Sequence, residues 1–255
     1  MYLKNLRSQK SLVLCEDGTH TLYSKEFDEP YHSTKDGALH ESLEKHVKPA
    51  LSLAGEKETL TILDICFGLG YNTLATLYYI QTQALKTKVH ILSPEFDEAL
   101  IRSLANFAYP PEFDSLKPVI TSLSQTCFYE DEQFKIEILL GDARESVPQI
   151  QEKIDIVYQD AFSPAHNPLL WTREYFREIR DVCAKDALLT TYSTAASVRL
   201  GLYENGFYLF VHRAPKIRYS TVASFSMLEQ LEYIDMELKK ERNPTARSLR
   251  DADFL

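Results

Sequence analysis

Apolar positions along the chain follow two alternating periods. Residues 60–66, Leu-Thr-Ile-Leu-Asp-Ile-Cys, form a short and almost unbroken apolar run, the pattern of a strand buried on both faces. The next stretch, about 73–83, places apolar residues at helical spacing. The pattern repeats with strands over 88–93, 135–140, 154–159 and 187–192, and with a helix over about 170–183. A helix near 195–205 ends at Gly206, a residue suited to a left-handed C′ position, and 207–213 and 221–228 read as two last strands. Strands that alternate with helices imply right-handed crossovers and a parallel, Rossmann-like α/β sheet, with ligands expected beyond the carboxyl ends of the strands.

Three segments depart from this rhythm. Residues 1–38 carry turn signals, Asp17-Gly18 and Asp36-Gly37, around short apolar or aromatic runs at 11–15 and 21–24, and predict a small β-rich lead-in. A helix over about 39–53 then opens the main domain, 39–238. Residues of about 98–134 are broken by Pro110, Pro111 and Pro118 and exceed a minimal crossover, so they predict a helical insertion. The last segment, 239–255, is polar and is expected to fray.

Composition narrows the class. Hydrophobic residues are 44% and charged residues 25%, the values of an ordinary globular chain, with no apolar stretch of membrane-spanning length and no secretory leader pattern. Cys15, Cys66, Cys127 and Cys183 are too scattered for a CxxC metal site, so thiols in a reducing cytoplasm are expected and no metal. The net charge of −9 has the wrong sign for holding nucleic acid by bulk electrostatics, so any RNA contact needs a local patch.

The candidate chemistry lies at strand ends. Asp64-Ile-Cys-Phe-Gly68-Leu-Gly70 follows a strand and opens a helix, the context in which a glycine turn signals nucleotide binding. Gly68 and Gly70 allow close backbone approach, and Asp64 could engage the amino-acid part of a cofactor; a plain βα turn is the competing explanation. The third glycine of a dinucleotide site is absent, and Tyr71-Asn72-Thr73 stands there instead. The turn instead resembles motif I of class I methyltransferases, with Cys66 where a glycine is usual. Glu95, 25 residues beyond Gly70, stands where an acid can take both ribose hydroxyls, with Asp97 and Glu98 as competitors. Asp142, at the next strand end, is placed by the same resemblance near adenine; helix capping is its plainer role.

Residues 159–171, Gln-Asp-Ala-Phe-Ser-Pro-Ala-His-Asn-Pro-Leu-Leu-Trp, set a carboxylate and two aromatic rings in a proline-stiffened segment. Asp160 could orient an amine or take its proton, because only a neutral amine has a lone pair to offer. A turn or cap for Asp160, and core packing for Phe162 and Trp171, are the alternatives.

This segment resembles the Asp-Gly-Phe-Ala-Pro-Ala-Lys-Asn-Pro-x-x-Trp signature of the MnmC-like tRNA methyltransferase domain, matched at Asp160, Phe162, Pro164, Ala165, Asn167, Pro168 and Trp171. Phe67, Gly68, Gly70 and Asn72 match a second motif, and Tyr31-His-Ser-x-x-Asp-Gly37 with Glu41 and the 190–207 region are also similar. His166 stands where lysine is usual. The resemblance implies S-adenosylmethionine as cofactor, held by Asp64, Phe67, Gly68, Gly70, Asn72, Glu95 and Asp142. It further implies methyl transfer to the 5-aminomethyl group of (2-thio)uridine at the tRNA wobble position, with Phe162, Pro164, Asn167 and Trp171 at the acceptor. Many members fuse this domain to a flavin-dependent oxidase. No second dinucleotide motif is seen here, so a free-standing form without FAD is expected, served by a separate enzyme that makes the amine.

For tRNA, the turn carrying Arg213, Lys216 and Arg218 is the favoured phosphate contact, whereas Arg173, Arg177 and Arg180 lie among balancing acids on one helix. Two other readings compete. Acid-lined pockets would suit a polyamine N-methyltransferase or aminopropyl transferase, and Cys66 with His166 would suit a cofactor-binding but non-catalytic partner protein.

Overall fold

The computed structural model describes residues 10–254, and its elements follow the apolar periods closely. The lead-in is a three-stranded antiparallel sheet, β1 (Lys10–Leu14), β2 (His20–Ser24) and β3 (Glu29–Pro30). A helical segment follows: α1 (Ala38–Glu41), a π-helical turn (Ser42–Val47) and α2 (Lys48–Ala54). The main domain then alternates through β4 (Thr59–Ile65), α3 (Tyr71–Thr82), β5 (Lys88–Glu95), α4 (Glu98–Ser103), α5 (Lys117–Thr126), β6 (Phe128–Glu130) and β7 (Phe134–Leu140). It continues with α6 (Ala143–Ser146), β8 (Ile154–Gln159), α7 (Arg173–Val182), β9 (Cys183–Thr191), α8 (Ala196–Tyr203), β10 (Tyr208–His212) and β11 (Ser220–Ser224), and closes with β12 (Glu232–Tyr233) and α9 (Met236–Arg242).

Among the described residues the main sheet has nine strands in the order β12-β10-β11-β9-β8-β4-β5-β7-β6. The five central strands, β9 to β7, pair in parallel, and the outer pairings are antiparallel. Strand order reverses between β4 and β8, since the chain runs outward from β4 to β5 and β7 on one side and from β8 to β9 on the other. Crossovers diverge there and leave a crevice at the carboxyl ends.

Helices cover both faces, which explains the unbroken apolar runs of the central strands. Along β4, Leu60 and Ile62 join the core with α2, α3 and α5, while Leu63 and Ile65 join the core with α7 and α8. The fold is thus a Rossmann-like α/β sandwich, as the alternation predicts.

Two details differ from the sequence expectations. The insertion is helical only to Thr126, after which β6 pairs with β7 as a hairpin. The terminal segment expected to fray is docked: the Arg144 guanidinium donates to both oxygens of Asp251 at 2.7 and 2.8 Å, and the Arg173 amide donates to the Leu249 carbonyl. Polar residues read as solvated when their partners lie a hundred positions away. No helix among the described residues is long and apolar enough to cross a membrane.

Candidate active site

The crevice at the β4/β8 reversal opens into a cavity of about 850 Å³, within the range of small-molecule sites. Its base is the turn after β4. Cys66, Gly68 and Gly70 take φ of +66°, +55° and +73°, the left-handed region where a side chain other than glycine costs roughly 1–2 kcal/mol. A Cβ on Gly70 would sit 2.6 Å from the Phe67 ring, so glycine is required there on two counts. Cys66 keeps the tight first turn while bearing that strain.

On the β5 side, Glu95 is buried and accepts hydrogen bonds from the amides of Gly68 (2.8 Å) and Asp97 (2.7 Å). Burial pushes its carboxyl up, only partly offset by those two amides. Its competitors are occupied elsewhere: Asp97 caps α4 and pairs with Lys10, and Glu98 pairs with Arg102. Asp142 lines the cavity and caps α6 as well, accepting from the Arg144 amide at 2.9 Å.

On the β8 side, Asp160 faces the cavity. Its Oδ2 accepts from Asn72 Nδ2 at 2.8 Å, and its Oδ1 lies 3.4 Å from His46 Nε2. His32 lines the cavity beside it and has no partner for its buried Nδ1 among the described residues. Burial pushes the Asp160 carboxyl up, but the His46 and His32 imidazoles and the Asn72 amide outweigh it and hold the group below the ordinary carboxylate range. Asp160 is therefore an anion at neutral pH. Around it, Phe162 stacks on Phe27 at 4.4 Å and meets Tyr31 edge-on at 4.9 Å. The segment is pinned from both sides: Glu29 accepts from the Ser163 amide at 2.8 Å, and the Tyr192 hydroxyl donates to the Ala161 carbonyl at 2.9 Å.

The cavity brings together Phe67, Gly68, Asn72, Glu95, Asp142, Asp160, Phe162, Asn167, Lys216 and Arg218 of the residues singled out in the sequence. Lys216 and Arg218 stand exposed at its rim. Asp64, Gly70, Pro164 and Trp171 are not in its wall. Asp64 points to the α3 side, where Thr73 and Asn72 donate to it, and burial pushes its carboxyl up to about 7 despite those bonds. Trp171 is fully buried and donates Nε1–H to the Phe162 carbonyl at 2.7 Å, which braces the acceptor segment from behind. Arg213 is paired with Glu232 and lies over the Tyr219 ring.

Tyr31, His32, His46, Phe27 and Tyr192 were not singled out as site residues, although Tyr31 and His32 lie in the lead-in motif. The lead-in is a wall of the site. Lys45, also in the wall, is buried between Asp36 and Glu41 at 2.9 and 2.8 Å. Among the described residues no cluster of His, Cys, Asp or Glu has the arrangement of a metal site.

Comparison with known proteins agrees with this geometry. Residues 115–224 match the model of a family described as S-adenosyl-L-methionine-dependent methyltransferase. The chain is 31% identical over 208 residues to an uncharacterized protein of Methanocaldococcus jannaschii, spanning 80% of this chain and 56% of that one. It is 32% identical over 218 residues to the tRNA 5-methylaminomethyl-2-thiouridine biosynthesis bifunctional protein MnmC of Azoarcus sp., spanning 80% of this chain and 33% of that protein. The chain thus spans about half or a third of the curated relatives it matches. Its fold superimposes on the crystal structure of MnmC2 from Aquifex aeolicus with a TM-score of 0.83 and 33% identity, covering 96% of this chain and 79% of that one. The chain belongs to the MnmC-like family of S-adenosyl-L-methionine-dependent methyltransferases.

Proposed function

We propose that the protein methylates the 5-aminomethyl group of uridine or 2-thiouridine at the tRNA wobble position, giving the 5-methylaminomethyl product in the cytoplasm. A separate enzyme supplies the amine. The observation that carries this reading is Asp160, a carboxylate held ionised against its own burial, facing an aromatic-walled half-cavity. An anion so placed suits a cationic or hydrogen-bonding acceptor such as a primary amine.

The other half-cavity fits an adenosyl cofactor. The Gly68 cradle is tight, since a Cβ there would stand 3.1 Å from the Tyr31 ring and the backbone takes φ of +55°. Glu95 and Asp142 stand at the ends of successive strands, with oxygens suited to ribose hydroxyls and to the adenine amino group. When bound, S-adenosylmethionine supplies an electrophilic methyl group on a sulfonium sulfur. Phe67, Gly68, Asn72, Glu95 and Asp142 would hold it, with Asp64 and Gly70 shaping the turn from below. Asp160 binds and orients the amine, Phe162 and Asn167 border the base, and Trp171 and Pro164 stiffen that border. Lys216 and Arg218 at the rim suit the phosphates on either side. The role of the MnmC relatives in 5-methylaminomethyl-2-thiouridine biosynthesis supports the same acceptor.

The test is transfer of labelled methyl from S-adenosylmethionine to tRNA bearing 5-aminomethyl-2-thiouridine, beside a polyamine. Label in the wobble nucleoside is expected. Label in the polyamine alone would favour the small-molecule reading, to which the many acids of the wall lend some support. Cofactor binding without transfer to either would make the protein a non-catalytic partner.

A further inference from the structure

The helical segment after the lead-in is α-helical at both ends but passes through a π-helical turn at Ser42–Val47. Such turns are rare, occur mostly as single turns inside α-helices and are frequent at functional sites. In this one two consecutive polar residues, Lys45 and His46, are both buried. Lys45 is accounted for by Asp36 and Glu41. His46 is not. Its Nδ1 lies 3.0 Å from Thr190 Oγ1, and its Nε2 faces Asp160 Oδ1 at 3.4 Å, with no closer polar partner among the described residues. That oxygen belongs to the carboxylate placed against the acceptor.

We infer that His46 receives, through Asp160, the proton that the acceptor amine must lose before it can be methylated. The inference rests on the amine-methylation reading above. A primary alkylamine is an ammonium ion at neutral pH and has no lone pair to offer. In the step proposed, an N–H bond of the ammonium breaks, the proton passes over the Asp160 carboxylate, and an N–H bond forms at His46 Nε2. The positive charge moves from ammonium to imidazolium, and the lone pair stays on the neutral amine. For this, Nδ1 carries hydrogen and donates to Thr190, and after transfer both ring nitrogens donate, one to Thr190 and one to Asp160.

Asp160 is poorly placed to keep the proton, because its Oδ2 already accepts from Asn72 at 2.8 Å and its Oδ1 faces the His46 ring at 3.4 Å. The remaining groups around His46 are less suited. His32, from the lead-in, is pushed below the usual imidazole range by its burial and keeps its ring edge-on to Tyr71. Asp64, on β4, is bonded to Thr73 and Asn72 and lies outside the cavity wall. His212, on β10, is held by the Glu44 carbonyl, and Tyr158, on β8, offers only its ring at 5.7 Å. His46 is thus a positioning residue that acts on substrate only through Asp160.

The test is His46→Gln, which keeps a polar amide but does not titrate. With aminomethyl-bearing tRNA at pH 7, kcat should fall about 100-fold, in the range usual for loss of a proton acceptor. KM for tRNA and cofactor affinity by calorimetry should stay within about 3-fold. The deficit should shrink as pH rises toward about 9.5, where the amine loses its proton to water unaided. A purely structural role would give a deficit that does not depend on pH, and that result overturns the inference while leaving native amine methylation intact. High-pH recovery in His32→Gln in place of His46→Gln also overturns it. If His46→Gln does not bind cofactor, Thr190→Val serves instead, with a smaller kcat loss that again recovers at high pH. A native protein that never transfers methyl to the amine removes the function reading and this inference together.

Discussion

The two halves of the cavity are built in opposite ways. The half at β4, β5 and β7 uses residues within a few positions of a strand end: Phe67 and Gly68, then Glu95, then Asp142. The half around Asp160 is assembled from the lead-in (Phe27, Glu29, Tyr31, His32), the π-helical turn (His46), α3 (Asn72) and β9 with the loop after it (Thr190, Tyr192). The first half is set mainly by the strand ends, with the lead-in adding the Tyr31 ring against Gly68. The second exists only when a separate small sheet closes over it. A fold common to many chemistries thus keeps its cofactor geometry while the acceptor wall is free to differ.

If the halves are separable, Asp160→Asn should lower turnover at least 100-fold, while calorimetry finds cofactor affinity changed by less than about 3-fold. Loss of cofactor binding in that variant would show one undivided site. Gly70→Ala should do the reverse: a side chain at φ +73° against the Phe67 ring should cost about 1–3 kcal/mol of stability and weaken cofactor binding about tenfold.

Asp64 lies beneath both halves and gives a pH signature. Its folded value of about 7 stands above the ordinary 3.8, so the stability it contributes is full below about pH 4 and is lost as pH rises through 7. Between pH 6 and 8 the native protein should therefore lose about 1 kcal/mol relative to Asp64→Asn in denaturant titrations. Asp160, held low, adds no slope in that window. An unchanged difference between the two proteins would mean that Asp64 is ionised throughout. The smallest effect is expected at Cys66, where glycine would relieve the strain of φ +66° and raise stability by up to about 1 kcal/mol, read as a higher Tm.

What could be read in the sequence divides along the same line. The central strands were legible because burial on both faces leaves an unbroken apolar run, and the glycine turn because its backbone needs are local. A strand-end position does not reveal which face a side chain takes. Asp64 shares the face of Ile62 and so turns toward α3, while Trp171 turns inward to brace the Phe162 carbonyl. The π turn left no mark, since Ser-Leu-Glu-Lys-His-Val reads as ordinary helix. The short strands β6 and β12 have too few residues to show a period, and the docked tail depends on Arg144 and Asp251, 107 positions apart.

The Glu29–Ser163 bond joins residues 134 positions apart, and His46 meets Asp160 from the far side of a long stretch of sequence. Contacts of such long range are formed after large loops have closed, late in the acquisition of structure. During refolding, helical and strand signals should recover before the ability to process an acceptor does, so the acceptor wall serves as a check that the entire topology has been completed.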